Sequence, residues 1–313
     1  MDAADPSALD WLLAGDVSIR WQTQRDLLGR SARTWRASQA RVATEGWGHA
    51  LLALQRPDGH WGRGAYQPKW TCTTYTLQLL WLLGLTPGHP AARKACSALL
   101  EEGLETDGGI NFWRPRRRVS ETCVTGMVLG QVGYFLSGDA RKERLAEYLL
   151  AAQMPDGGWN CRWPAGATHA SFHTTISVLE GLREYAAAGG ARRKATDAAA
   201  ARGREFLLQH QLFKSHTTGR QVSSEMMRLH FPPQWRFDVL RGLDYFQSTG
   251  VRPDQRLADA MAHLTSLRRP DGGWLLARGH PGAVHLELEK AGKPSRWNTL
   301  RALRVLRWWE QLA

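Results

Sequence analysis

The chain has 313 residues, 43% of them hydrophobic, enough for one large domain or two small ones with a sizeable core. No stretch approaches the roughly 18 to 20 uninterrupted apolar residues of a membrane span, and Met1 to Asp10 carries acids where a secretion signal would carry lysines, so a cytoplasmic chain is expected. Four cysteines are too few for a disulfide framework, and the formal charge of +12, from 41 basic against 29 acidic residues, admits nucleic acid, a membrane surface or a small anion.

In chain order, the predicted elements repeat. A helix opens at Ser18-Ile19-Arg20-Trp21, and the phrase Leu54-Gln55-Arg56-Pro57-Asp58-Gly59-His60-Trp61 precedes a second opening at Lys69-Trp70-Thr71-Cys72. An amphipathic partner, Ala91 to Glu102, leads to a weaker copy, Thr106-Asp107-Gly108-Gly109, and a third opening at Ser120-Glu121-Thr122-Cys123. The partner Arg141 to Gln153 runs into Gln153-Met154-Pro155-Asp156-Gly157-Gly158-Trp159 and the opening Ser171-Phe172-His173-Thr174. The partners Ala195 to Gln211 and Gln255 to Leu267 flank an opening at Gln234-Trp235-Arg236-Phe237-Asp238. Arg269-Pro270-Asp271-Gly272-Gly273-Trp274 then leads to the last opening, Ser295-Arg296-Trp297-Asn298. In each phrase Pro and Asp-Gly end a helix, and the aromatic is read as a packing plug.

Six openings recur at intervals of roughly 50 to 60 residues, and paired helices repeated this way bury their apolar faces only against neighbours. The expectation is all-α: one α/α-toroid domain over residues 1–313, with about six inner and five to six outer helices. The inner helices should begin near Arg20, Trp70, Glu121, His173, Arg236 and Trp297. Short turns lead to each partner. Long loops return from it, so the loops and the positive inner-helix N-termini share one rim.

The Gln153 to Trp159 phrase resembles the repeat shared by squalene-hopene cyclases and the β subunits of protein prenyltransferases. That resemblance implies the toroid, a fold that also hosts glycosidases, polysaccharide lyases and lanthionine cyclases. The Asp-x-Asp-Asp proton donor of squalene-type cyclases has no counterpart here. The zinc site of the prenyltransferases, Asp-x-Cys followed by His-Thr, is matched by Glu121-Thr122-Cys123 and His173-Thr174. Arg118 stands where those enzymes hold diphosphate.

Read without the resemblance, Glu121 and Cys123 are a carboxylate and a thiol at a helix N-terminus, with Cys161 and His173 on the same rim, a donor set that suits tetrahedral Zn2+. The competing reading makes them core thiols, a capping acid and a hydrogen-bonded histidine. Arg114, Arg116, Arg117 and Arg118 are expected to bind an anion. Trp70, Trp163 and Trp297, with Asn298, are expected to line the substrate, and Asp238 is a candidate acid or base. The other basic residues are scattered, which argues against a nucleic-acid surface. The expected function is a zinc-dependent enzyme acting on an anionic, partly hydrophobic, isoprenoid-like substrate such as a prenyl diphosphate. The alternatives are a metal-independent terpenoid cyclase or carbohydrate-active hydrolase or lyase, and a non-catalytic toroid that binds a ligand or nucleic acid.

Overall fold

Apolar runs closed by Pro and Gly determine where the helices lie. A computed structural model describes residues 6–113 and 119–312. Its helices are α1 (Pro6–Leu13), α2 (Val17–Gln22), α3 (Ala32–Ala40), α4 (Gly46–Leu52), α5 (Thr73–Leu83), α6 (Pro90–Gly103) and α7 (Thr122–Phe135). They continue with α8 (Lys142–Ala151), α9 (Phe172–Ala187), α10 (Arg193–Gln209), α11 (Val239–Ser248), α12 (Ala258–Ser266) and α13 (Arg296–Trp309). The β structure among the described residues is one short antiparallel pair, Trp274–Leu275 with Pro294–Ser295. The chain is all-α.

The expected inner-helix starts lie within three residues of those observed, Val17, Thr73, Thr122, Phe172, Val239 and Arg296. Capping accounts for one displacement: Asp238 accepts from Arg241 N–H, so α11 begins at Val239 and not at Arg236.

Contacts among these six helices run in order and return to their start. Trp21 and Gln22 of α2 donate to the Leu83 and Leu82 carbonyls of α5 at 2.9 and 3.0 Å. Gln131 of α7 donates to Thr74 O of α5 at 2.8 Å. Helices α7 and α9 approach through glycines, where a Cβ added to Gly126 would lie 2.8 Å from Val178 Cα. Arg241 of α11 forks onto Glu180 of α9 at 2.9 and 2.6 Å. Arg304 of α13 holds Asp244 of α11 at 2.5 Å and reaches Asp26, just beyond α2, at 3.2 Å. Helices α6, α8, α10 and α12 pack against the helices that neighbour them in the chain.

The repeated phrase makes the same joint three times. Trp61, Trp159 and Trp274 are fully buried. Their indoles donate to carbonyls ten residues back, Leu51, Leu149 and Leu264, at 2.7, 2.7 and 2.8 Å. Their backbone N–H groups donate to Thr73, Thr175 and Thr299 at 3.1, 3.0 and 3.1 Å. Each tryptophan thus ties the end of one helix, α4, α8 or α12, to the start of the next long one, α5, α9 or α13.

Candidate functional site

The space between these six helices is divided by the segment from Phe231 to Gln234. Phe231 stacks on Trp297 with centroids 4.1 Å apart, and Gln78 donates to Gln234 O at 2.9 Å. Gln78 and Phe231 line a cavity on either side. The cavity toward the helix N-termini is about 190 Å³ and mostly apolar, with Trp70, Leu79, Leu276 and Leu288 in its wall. The cavity toward the C-termini is about 510 Å³ and lined by charged side chains from α9, α11 and α13.

An aromatic basin opens around the smaller cavity. The Tyr66 and Tyr75 hydroxyls share a hydrogen bond of 3.0 Å, and Trp70 stands edge-on to Tyr75 at 4.8 Å. The Lys69 ammonium lies 5.0, 5.7 and 5.8 Å from the ring centroids of Tyr66, Trp70 and Trp235. Arg236 covers the same Trp235 ring at 4.8 Å, and its Nε is buried without a hydrogen-bond partner. Burial pushes the Lys69 pKa down, the nearby Arg236 charge adds to this, and Glu121 opposes it.

Two imidazoles border the basin. His173 Nδ1 accepts from Phe237 N–H at 2.8 Å, which leaves the proton of the neutral ring on Nε2. Burial, then the charges of Arg241 and Arg236, lower His173 to about 4. His280 stacks on His230 at 4.6 Å, and its Nε2 is buried without a partner. Burial, with His230 and Arg236 nearby, lowers His280 to about 4 as well. Glu289 lines the apolar cavity; burial raises its pKa, against hydrogen bonds from Ser295 Oγ at 2.5 Å and Arg296 N–H at 2.6 Å.

The four expected zinc ligands share the rim without forming a donor set. Cys123 and Cys161 are joined as a disulfide, which corrects the reading of the two as zinc-bound or core thiols. Glu121 stands at the N-cap position of α7 without a side-chain capping bond and accepts from the Trp113 indole at 2.8 Å, while His173 spends Nδ1 on Phe237. Among the described residues no group of three or more His, Cys, Asp or Glu side chains is placed to hold a metal. The residues as arranged do not fit zinc, because bonded sulfurs are not thiolates.

The remaining candidates separate by burial. Asp238 is 2% exposed, and its oxygens accept from Arg241 N–H at 2.8 Å and His230 N–H at 3.3 Å, so the structure gives it a capping place in α11. Asn298 is fully buried and donates to the Leu229 and Leu275 carbonyls at 3.0 and 2.9 Å. Trp70 lies in the basin, Trp297 faces the larger cavity, and Trp163 is exposed and edge-on to Tyr148 outside both. Arg114, Arg116, Arg117 and Arg118 lie outside the described residues. Lys69, Arg236 and His280 escaped the sequence reading as site residues. The first two flank the openings at Trp70 and Phe237, a position that was legible. His280 sits in a loop with no repeat signal.

No family model matches the chain, and no curated protein matches it. Among solved structures, a protein from Actinoplanes is similar in fold, with 19% identity, a TM-score of 0.50, and coverage of 97% of this chain and 98% of that one. The apo type II terpene cyclase MstE from Scytonema aligns with 18% identity, a TM-score of 0.48, and coverage of 96% and 95%. A variant of MstE in complex with geranylgeranyl dihydroxybenzoate, its substrate, aligns with 17% identity, a TM-score of 0.47, and coverage of 96% and 94%.

Proposed function

We propose that the chain is an α/α toroid of the terpenoid-cyclase kind, acting without a metal on a substrate that joins an anionic head to an isoprenoid-like tail. The closed order of inner helices with outer partners supports the toroid. One observation carries the substrate reading: Arg236 Nε is buried without a partner beside the half-buried Lys69, in a basin walled by aromatic rings. An unsatisfied buried donor costs about 1–3 kcal/mol, and an anionic oxygen at this point would satisfy it. Burial is the main cause that depresses Lys69, His173 and His280, and the head would offset the smaller contribution of the Arg236 charge.

The tail enters the apolar cavity. At about 190 Å³ this cavity is smaller than the ~300–1,000 Å³ of most small-molecule sites, so the rest of a long tail lies along Trp70, Tyr75 and Tyr66. Cyclisation develops positive charge on carbon, and aromatic faces stabilise a cation. Glu289, a carboxyl in the wall of that cavity, is assigned the proton donor to an alkene carbon. Loss of a proton from the final cation returns it, so product and substrate are isomers. The geranylgeranyl dihydroxybenzoate of the Scytonema cyclase belongs to this substrate class.

The test is incubation with geranylgeranyl and farnesyl aromatic acids, and with the corresponding diphosphates, in EDTA. The expected result is a product of unchanged mass and new retention time, lost in Glu289→Gln. Turnover that stops in EDTA and returns with zinc would restore the zinc reading. Tight binding without any isomer would make the protein a non-catalytic carrier.

A further inference from the structure

The larger cavity, at the C-terminal ends of the inner helices, plays no part in the proposed reaction. Its walls carry five guanidinium groups, Arg25, Arg183, Arg241, Arg301 and Arg304, against four carboxylates, Asp26, Glu180, Glu184 and Asp244. These form a cross-linked lattice. Arg241 forks onto Glu180, Arg301 and Arg304 converge on Asp244, Arg304 and Arg25 reach Asp26, and Arg183 lies 2.9 Å from Glu184. The surplus of one positive charge is outweighed by six helix C-termini, each equivalent to roughly half a negative charge, so a strong anion gains nothing from entering. An apolar tail would desolvate charged walls and gains nothing there.

Two features remain for recognition. Each guanidinium carries five N–H donors and each carboxylate about four acceptor positions, more than the lattice consumes. A flat aromatic face stands among them: Trp81 lies 6.2 Å from Tyr134 with Arg183 at 5.8 Å. Donors, acceptors and an aromatic face among charges already paired with one another suit a neutral polyhydroxylated ring, whose hydroxyls are both donors and acceptors and whose C–H face stacks on indole. The volume of about 510 Å³ falls within the ~300–1,000 Å³ of small-molecule sites. We infer that this cavity is a second, separate binding site for a neutral mono- or disaccharide, resting on Trp81 and hydrogen-bonded by the arginine and carboxylate lattice.

Saturation-transfer NMR and calorimetry with glucose, maltose and cellobiose, on the full chain, test this. At least one of the three should bind at millimolar concentration. Binding should weaken about tenfold in Trp81→Ala, as expected for loss of one stacking face, and should be unchanged in Lys69→Gln, which alters only the opposite end of the ring. Arg183→Gln gives a second reading if Trp81→Ala loses its helical melting transition: Arg183 is part-exposed, with 29% of its side chain accessible, and should cause a comparable loss. Absence of binding by all three sugars overturns the inference. So does binding that survives both substitutions, or displacement of the sugar by inorganic diphosphate, which would mark the cavity as an anion site.

Discussion

His173 is held neutral first by burial and then by the charges of Arg241 and Arg236, while its Nδ1 accepts from the Phe237 backbone N–H. Its folded pKa, about 4, lies below the unfolded value of about 6.5, so the unfolded chain binds more protons between these limits. The stability it contributes is present above pH 6.5 and lost as pH falls toward 4, on the order of 2 kcal/mol. Melting temperature followed from pH 7 to 4 should fall less steeply in His173→Asn, which keeps an acceptor at the Nδ1 position. An imidazole NMR titration of His173 near pH 6.5 would contradict this. At Cys123 and Cys161 the sequence placed both residues on the rim but not their bonding state, because spacing along a chain does not specify which atoms meet. Denatured without reductant, the protein should show two reactive thiols, Cys72 and Cys96, and four after reduction. Four thiols without reductant would return the pair to the metal-ligand reading.

The helix-pair repeat was legible because Pro and Asp-Gly end helices by geometry alone, and because a buried indole needs a fixed partner. Gly157 shows how tight the joint is. Its φ is +91°, and an added Cβ would lie 2.7 Å from Arg202 O. Gly157→Ala should cost about 2–4 kcal/mol in denaturant unfolding, whereas Gly189→Ala, at φ +67° with open space, should cost about 1 kcal/mol. Equal costs would show that the turn bends freely. The segments 229–233 and 276–293 were not legible. They have no periodicity, and their positions follow from long-range contacts such as Trp70 N–H to Ala283 O at 2.9 Å and Asn298 to Leu229 O at 3.0 Å.

Across the whole molecule, closure depends on Arg304, which joins α13 to Asp244 of α11 and to Asp26 beyond α2. The acid and base are both largely buried, so removing one leaves a charge uncompensated. Arg304→Ala should destabilise by about 3–5 kcal/mol, and Asp244→Asn by a similar amount, with the double variant less costly than their total. Strict additivity of the two would show that they do not interact. The central claim is that the Lys69 and Arg236 basin binds an amphiphile by its anionic head. Calorimetric titration of farnesyl diphosphate, beside farnesol and inorganic diphosphate, into the chain and its Lys69→Gln/Arg236→Gln variant measures this most directly. Farnesyl diphosphate should bind more tightly than either fragment, and the variant should lose about 10- to 100-fold of that affinity while its response to farnesol stays the same. Equal affinity of the two proteins for farnesyl diphosphate would contradict the claim.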